Sequence, residues 1–302
     1  AIGGSRATVI EVLIWEKIRL EGNWNQALGL TFIQLAIVLL LSVFLVRDVR
    51  YPNSIRQTRS PLLSFAPGIV FALLPGLVIV ASLLDRPWRG AAQFFQNETL
   101  VEQVRSVIPG TLIVGFGVFA VVLAALLLLS YANPQARIRK SLMGYAAPTS
   151  VITGFAMLLL WRELGFATYI KIIAAISLVS IPALYRFRLD AELQSLKSQR
   201  DIALSLGASP AQTFSQVVLP QILKPVMSLS TLAMIWALGD FALSGVIAER
   251  DMTLAMVIDS LMSSYRLDIA SFLVLLMVVA GGLIFFAVRA LTKDKDEAYV
   301  AR

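Results

Sequence analysis

Seven apolar runs, at about 27–46, 64–84, 109–130, 143–161, 166–185, 227–248 and 269–289, constrain this chain more than any other feature. Each, as an α-helix rising about 1.5 Å per residue, is long enough to cross about 30 Å of hydrocarbon. Within that layer the backbone must satisfy its own N–H and C=O groups, which leaves helices or closed β-barrels. Barrel strands alternate polar and apolar side chains, and VVLAALLLL at 121–129 does not. The expectation is an all-α integral membrane protein with about seven transmembrane helices.

Composition narrows the chemistry. Hydrophobic residues make up 58% and charged residues 15%, far from a soluble domain. The chain has no Cys and no His, which removes disulfides, thiol chemistry and the commonest metal ligand and general base. No catalytic or metal-binding constellation emerges. A formal charge of +7 and a pI near 9.9 raise the question of nucleic acid. Basic loops on one side of a membrane explain them more simply, so no nucleic-acid partner is expected.

Lys and Arg also set the orientation. The segments 47–63, 131–142, 186–226 and the tail from 289 hold 16 of the 26 basic residues, and the alternate set holds 9. By the positive-inside rule the first set, including 186–226 and the C-terminus, is cytoplasmic. The N-terminal segment is then external, yet no secretory signal pattern opens the chain. The expectation is that something upstream is missing or is supplied separately.

Internal similarity agrees. TVIEVLIWEKIRLEGNWNQALGLTFIQLAIVLLLSVFLVR (8–47) and TLAMVIDSLMSSYRLDIASFLVLLMVVAGGLIFFAVR (253–289) both run from Thr through an amphipathic segment and an apolar run to Val-Arg. Residues 1–47 read as the external segment and last membrane helix of a first unit. Residues 48–63 read as a cytoplasmic linker, rich in Pro and Arg. Residues 64–302 read as a second, six-helix unit with a cytoplasmic loop at 186–226.

Within that loop lies DIALSLGASPAQTFSQVVLP, 201–220. Asp201–Leu206 reads as a short helix with Asp201 near its positive end and Ile202 and Leu206 on one face. Gly207 ends it. Ser209 as N-cap, Pro210 at the first helical position and Gln212 three after the cap spell a capping box. Phe214, Val217 and Val218 give the second helix an apolar face, and Pro220 is expected to break it. Helices this short are marginal in water and must pack on something.

These residues resemble the Glu-Ala-Ala loop of the permease subunits of binding-protein-dependent ABC importers. That pattern has E-A-A, three residues, G, nine residues, then I-x-L-P. Asp201 stands for the Glu, Ile202 departs from the first Ala, Ala203 and Gly207 match, Val217 replaces Ile, and Leu219 and Pro220 match. GYAAPTSVITG (144–154), ALGDF (237–241) and both ends of the chain look like the fused two-unit permeases for thiamine and ferric iron. The resemblance implies a type I importer permease of the MetI-like fold, multi-pass in the bacterial inner membrane, and not an enzyme. No Walker-type G-x-x-x-x-G-K-[ST] occurs, so ATP and Mg are expected on partner ABC ATPase subunits and no cofactor in this chain. A second permease unit, on another polypeptide or upstream, and a periplasmic or extracellular solute-binding protein are the other implied partners, within the lipid bilayer. Asp201, Ala203, Leu206, Gly207, Ala208, Ser209, Leu219 and Pro220 are the implied ATPase-coupling residues.

Asp240, within the run 227–248, is costly in lipid and should face the bundle interior or a water-filled path. It reads either as lining the path of a cationic solute or as a structural hydrogen-bonding group. Lys171 reads as snorkelling near an external end. Segment 85–108 reads as an amphipathic helix on the membrane, with contact to a solute-binding protein as the other reading. An ion-gradient-driven secondary transporter is the competing class; it would need a paired-charge site at the midplane, and the runs offer one deep acid. A non-transporting assembly factor is the third.

Overall fold

A computed structural model of the chain describes residues 10–19, 21–45, 85–132, 167–248 and 252–293. The expected spans at 64–84 and 143–161, the linker 48–63 and the 144–154 motif lie outside these residues. Two N-terminal helices, α1 (Ile10–Arg19) and α2 (Trp24–Leu45), pack on each other through buried Ile14 and Ala27. α2 covers the first expected span.

Four helical rods among the described residues are long and apolar enough to cross a membrane: Glu98–Ala132, Thr168–Ser195, Pro210–Gly239 and Leu267–Ala290. The first, α4 (Glu98–Ala132), starts eleven residues before the expected 109–130. Asn97 starts it: its side-chain oxygen accepts from the Leu100 N–H at 3.1 Å, capping an otherwise unpaired donor. Leu100, Val104, Val107, Thr111, Val114, Val118, Val122 and Leu126 then fall three or four apart and form one buried stripe. Thirty-five residues make a rod about 52 Å long, longer than the hydrocarbon layer is thick.

The segment read as a single amphipathic helix at 85–108 is therefore two. α3 (Arg86–Gln96) ends before Asn97 and lies on the C-terminal rod, burying Pro87, Gly90 and Phe94. A Cβ on Gly90 would stand 2.0 Å from the Asp268 carbonyl oxygen, so only glycine permits this crossing. Phe94 and Phe272 pack with ring centroids 5.5 Å apart.

α5 (Thr168–Leu184) fills the expected 166–185. Val114, Val118, Val122 and Leu126 of α4 meet Ile172, Ala175 and Ile176 of α5 in the main core. Lys171 sits in the first turn of α5, half-buried. The rod continues through one π turn, Tyr185–Leu189, into α6 (Asp190–Ser195). Pro182 stands just before this turn. Because proline lacks an N–H and its ring crowds the preceding turn, a wider turn nearby relieves the ladder.

α7 (Lys197–Ser205) and α8 (Pro210–Thr213) follow, then a second π turn, Phe214–Val218, and α9 (Leu219–Gly239). Here the expected break at Pro220 is corrected. The π turn places the Leu219 N–H on the Phe214 carbonyl and sets Pro220 in the first turn of α9, where no N–H is required. The rod runs unbroken from Pro210 to Gly239.

The expected span 227–248 is corrected at its other end. α9 stops at Gly239, and α10 (Ala242–Ile247) is a separate turn-and-a-half packed on α5. α11 (Leu254–Ser263) buries Ala255, Met256, Val257, Ile258 and Leu261 against α4, α9 and α12. The Leu254 N–H donates to Thr111 Oγ1 of α4 at 2.8 Å. α12 (Leu267–Lys293) contains the last expected span, 269–289.

Candidate functional site

The hairpin from Asp190 to Pro220 sits at the end of α4 opposite α3. Its base is packed: Tyr185, Leu189, Leu196 and Val218 belong to the main core, and Tyr131 near the end of α4 meets Phe214 edge-on at 5.3 Å. Gln221 Nε2 donates to Gln199 Oε1 at 2.7 Å, tying α9 to α7 across the hairpin.

Its tip is held by backbone chemistry. The Ala208 N–H donates to the Ala203 carbonyl at 3.1 Å and the Gly207 N–H to the Leu204 carbonyl at 3.0 Å, the paired bonds of a Schellman motif. Gly207 supplies the left-handed residue, at φ +90°. Two residues later the expected capping box is present in full. Gln212 N–H donates to Ser209 Oγ at 3.2 Å, and Ser209 N–H donates to Gln212 Oε1 at 2.9 Å. Both helices that meet at the tip therefore have satisfied ends.

The side chains around this tip face outward. α7 buries none of its residues. Leu206 is 82% exposed and Ile202 57%. Ala203 and Ala208 are half-buried, while Asp201, Gly207 and Ser209 are exposed. Asp201 lies in the middle of α7, not near its positive end as expected, because the helix begins four residues earlier, at Lys197. The fold thus gathers Asp201, Ala203, Leu206, Gly207, Ala208 and Ser209 at one tip. Leu219 and Pro220 belong instead to the base, beyond the second π turn.

Asp240 sits at a helix break and not inside a continuous span. It is the residue at which α9 stops, with ψ at 108°. Its Oδ2 accepts from the Leu243 N–H at 3.0 Å and the Ser244 N–H at 3.3 Å, so the carboxylate caps α10. The partner is the next short helix along the chain. Asp240 is nearly buried, at 9% exposure.

Sequence reasoning passed over the Gln199–Gln221 clamp, whose members are 22 residues apart and carry no local signal. It also passed over the π turns, for which Pro182 and Pro220 are the available signs.

A sequence profile described as the inner membrane component of binding-protein-dependent transport systems matches residues 139–294, just over half of the chain. The chain belongs to this family. It is an ABC importer permease of the MetI-like fold, an integral inner membrane protein and a transport component, not an enzyme. The matched region of the permease contains the whole hairpin, Asp240 and all of α12. No curated protein matches the permease.

Proposed function

We propose that the hairpin tip of this permease docks on a separate ABC ATPase and passes that subunit's closure to the membrane rods. The carrying observation is an apolar tip with its backbone satisfied and its leucine uncovered: Leu206 at 82% exposure beside Ile202 at 57%. Covering a leucine or isoleucine side chain supplies about 2 kcal/mol, so a partner surface has something to gain there. The linkage upward is rigid in kind. α7 is tied to α9 by Gln199 and Gln221, and α9 is continuous with the rod that ends at Asp240. A push on the tip therefore moves α5 and α9 as one piece, the rigid-body motion that alternating access requires.

In this reading the hairpin and the C-terminus are cytoplasmic, in line with the excess of Lys and Arg on that side. ATP and Mg belong to the partner. The solute path lies between this six-helix unit and a second permease unit, and a solute-binding protein delivers the cargo. Thiamine or ferric iron is the proposed cargo class, on the resemblance of both chain ends and the ALGDF segment. Asp240 is proposed to face that path with the part of its carboxylate not engaged in capping.

The decisive experiment is transport into vesicles with Gly207→Asp, alongside ATPase co-purification in mild detergent. The expected result is a fall in uptake of about tenfold or more, with hydrolysis no longer stimulated by solute; intact transport would sink the assignment. For the path, Asp240→Asn keeps a capping oxygen and removes the charge. Lower affinity for a cationic solute is expected, and unchanged uptake kinetics would reduce Asp240 to its structural role.

A further inference from the structure

Where α9 and α12 meet at the hairpin end, they leave a cavity of about 310 Å³ lined by Arg188, Ser228, Thr231, Phe285, Val288 and Arg289. The two guanidinium groups come from different rods: Arg188 from the π turn after α5, Arg289 from near the end of α12. Arg188 gives its Nε–H to Glu192 at 3.0 Å, which fixes its direction and leaves its terminal amino groups for other acceptors. Two rods therefore bring positive charge to one hydroxyl-bearing recess. Thr231 donates its hydroxyl to the Met227 carbonyl at 2.8 Å, so Ser228 is the hydroxyl placed to donate into it.

The recess opens onto an apolar track. From Arg289 toward the middle of α12, Phe285, Gly282 and Val278 follow at spacings of four, three and four, which is one stripe. Val278 is 66% exposed, and a Cβ added to Gly282 would meet nothing within 4 Å. A Cβ on Gly281 would stand 3.5 Å from Ile235 of α9, so the two helices close together there. The track spans about 16 Å, close to the hydrocarbon depth of one leaflet.

We propose that this recess binds the phosphate of an anionic glycerophospholipid, with one acyl chain lying along the α12 stripe. Charge and shape agree on that occupant. Guanidinium forks match phosphate oxygens, and two cations favour a headgroup that carries no ammonium of its own. A free phosphate ion would use the recess and leave the track uncovered. The site is separate from the hairpin tip and does not depend on ATPase docking.

Native mass spectrometry of the purified permease, titrated with phosphatidylglycerol or phosphatidylcholine, tests this. Retention of phosphatidylglycerol at least tenfold above phosphatidylcholine is expected. Replacing both arginines, R188Q with R289Q, should remove at least tenfold of that retention, and R188K with R289K, which keeps the charge without the forks, a smaller part of it. Ser228→Trp fills the recess without altering charge and should remove retention as well, in protein that still elutes as a single species. Equal retention of the two lipids overturns the proposal, as does full retention by the Ser228→Trp protein. Displacement of the lipid by millimolar inorganic phosphate would mark a free-anion site and overturn it too.

Discussion

The short helices at the two ends of this bundle are held by opposite means. At one end, α3 buries Pro87, Gly90 and Phe94 on α12, and α11 buries five residues against α4, α9 and α12. At the other, α7 buries nothing, and the tip is held by a Schellman turn, a capping box and one glutamine pair. The first arrangement couples each short helix to the stability of the whole fold. The second leaves the apolar side chains of the tip available to another surface while keeping its backbone from fraying. Under the proposed coupling the first serves as a fixed cap and the second as a self-supporting lever where force would enter.

Substitutions can break this contrast, beginning with the largest expected loss of stability. Gly90→Val puts a branched side chain where even a Cβ lies 2.0 Å from the Asp268 carbonyl oxygen. It should cost roughly 3 kcal/mol or more, read as a lower thermal midpoint in detergent together with loss of folded yield. Thr111→Val leaves the Leu254 N–H, now bonded at 2.8 Å, without its acceptor. A cost of about 1–3 kcal/mol is expected in the same melt, with α11 exchanging its amide hydrogens faster.

At the hairpin end the effects should turn local. Ser209→Ala removes half of the capping box and should cost about 1 kcal/mol, appearing as faster exchange at 209–213 with little change in the global midpoint. Leu206→Ser should change stability by about 0.5 kcal/mol or less, since the side chain is 82% exposed. It should nevertheless weaken retention of the ATPase by about tenfold in co-purification. If Leu206→Ser lowers the melt as much as Thr111→Val does, the two ends are not held differently and the comparison fails.

Much of this was legible before any coordinates. Mean apolarity over about 20 residues locates rods because hydrocarbon admits little else: α5 and α12 fall where the runs predict them, and α4 contains its run and extends beyond it. The capping box was equally legible, since Ser209, Pro210 and Gln212 act on each other within one turn. Helix ends inside a long polar–apolar mixture were not. Asp201 looked like the start of a helix that in fact begins at Lys197, because nothing between Leu196 and Asp201 opposes helix formation.

The sequence by itself determined that this chain spans a membrane, where its hairpin turns and which residues cap that turn. All three rest on interactions within a few residues or on the solvent the rods must occupy. Tertiary structure alone decided that Pro220 continues a rod instead of ending one, that Asp240 caps α10 at a break, and that α3 lies on α12. Each of those depends on a partner or a neighbouring turn that local propensity does not count. The π turn before Pro220 supplies the missing slack, the loss of helix after Gly239 frees two N–H groups for Asp240, and the absent side chain of Gly90 lets two backbones touch.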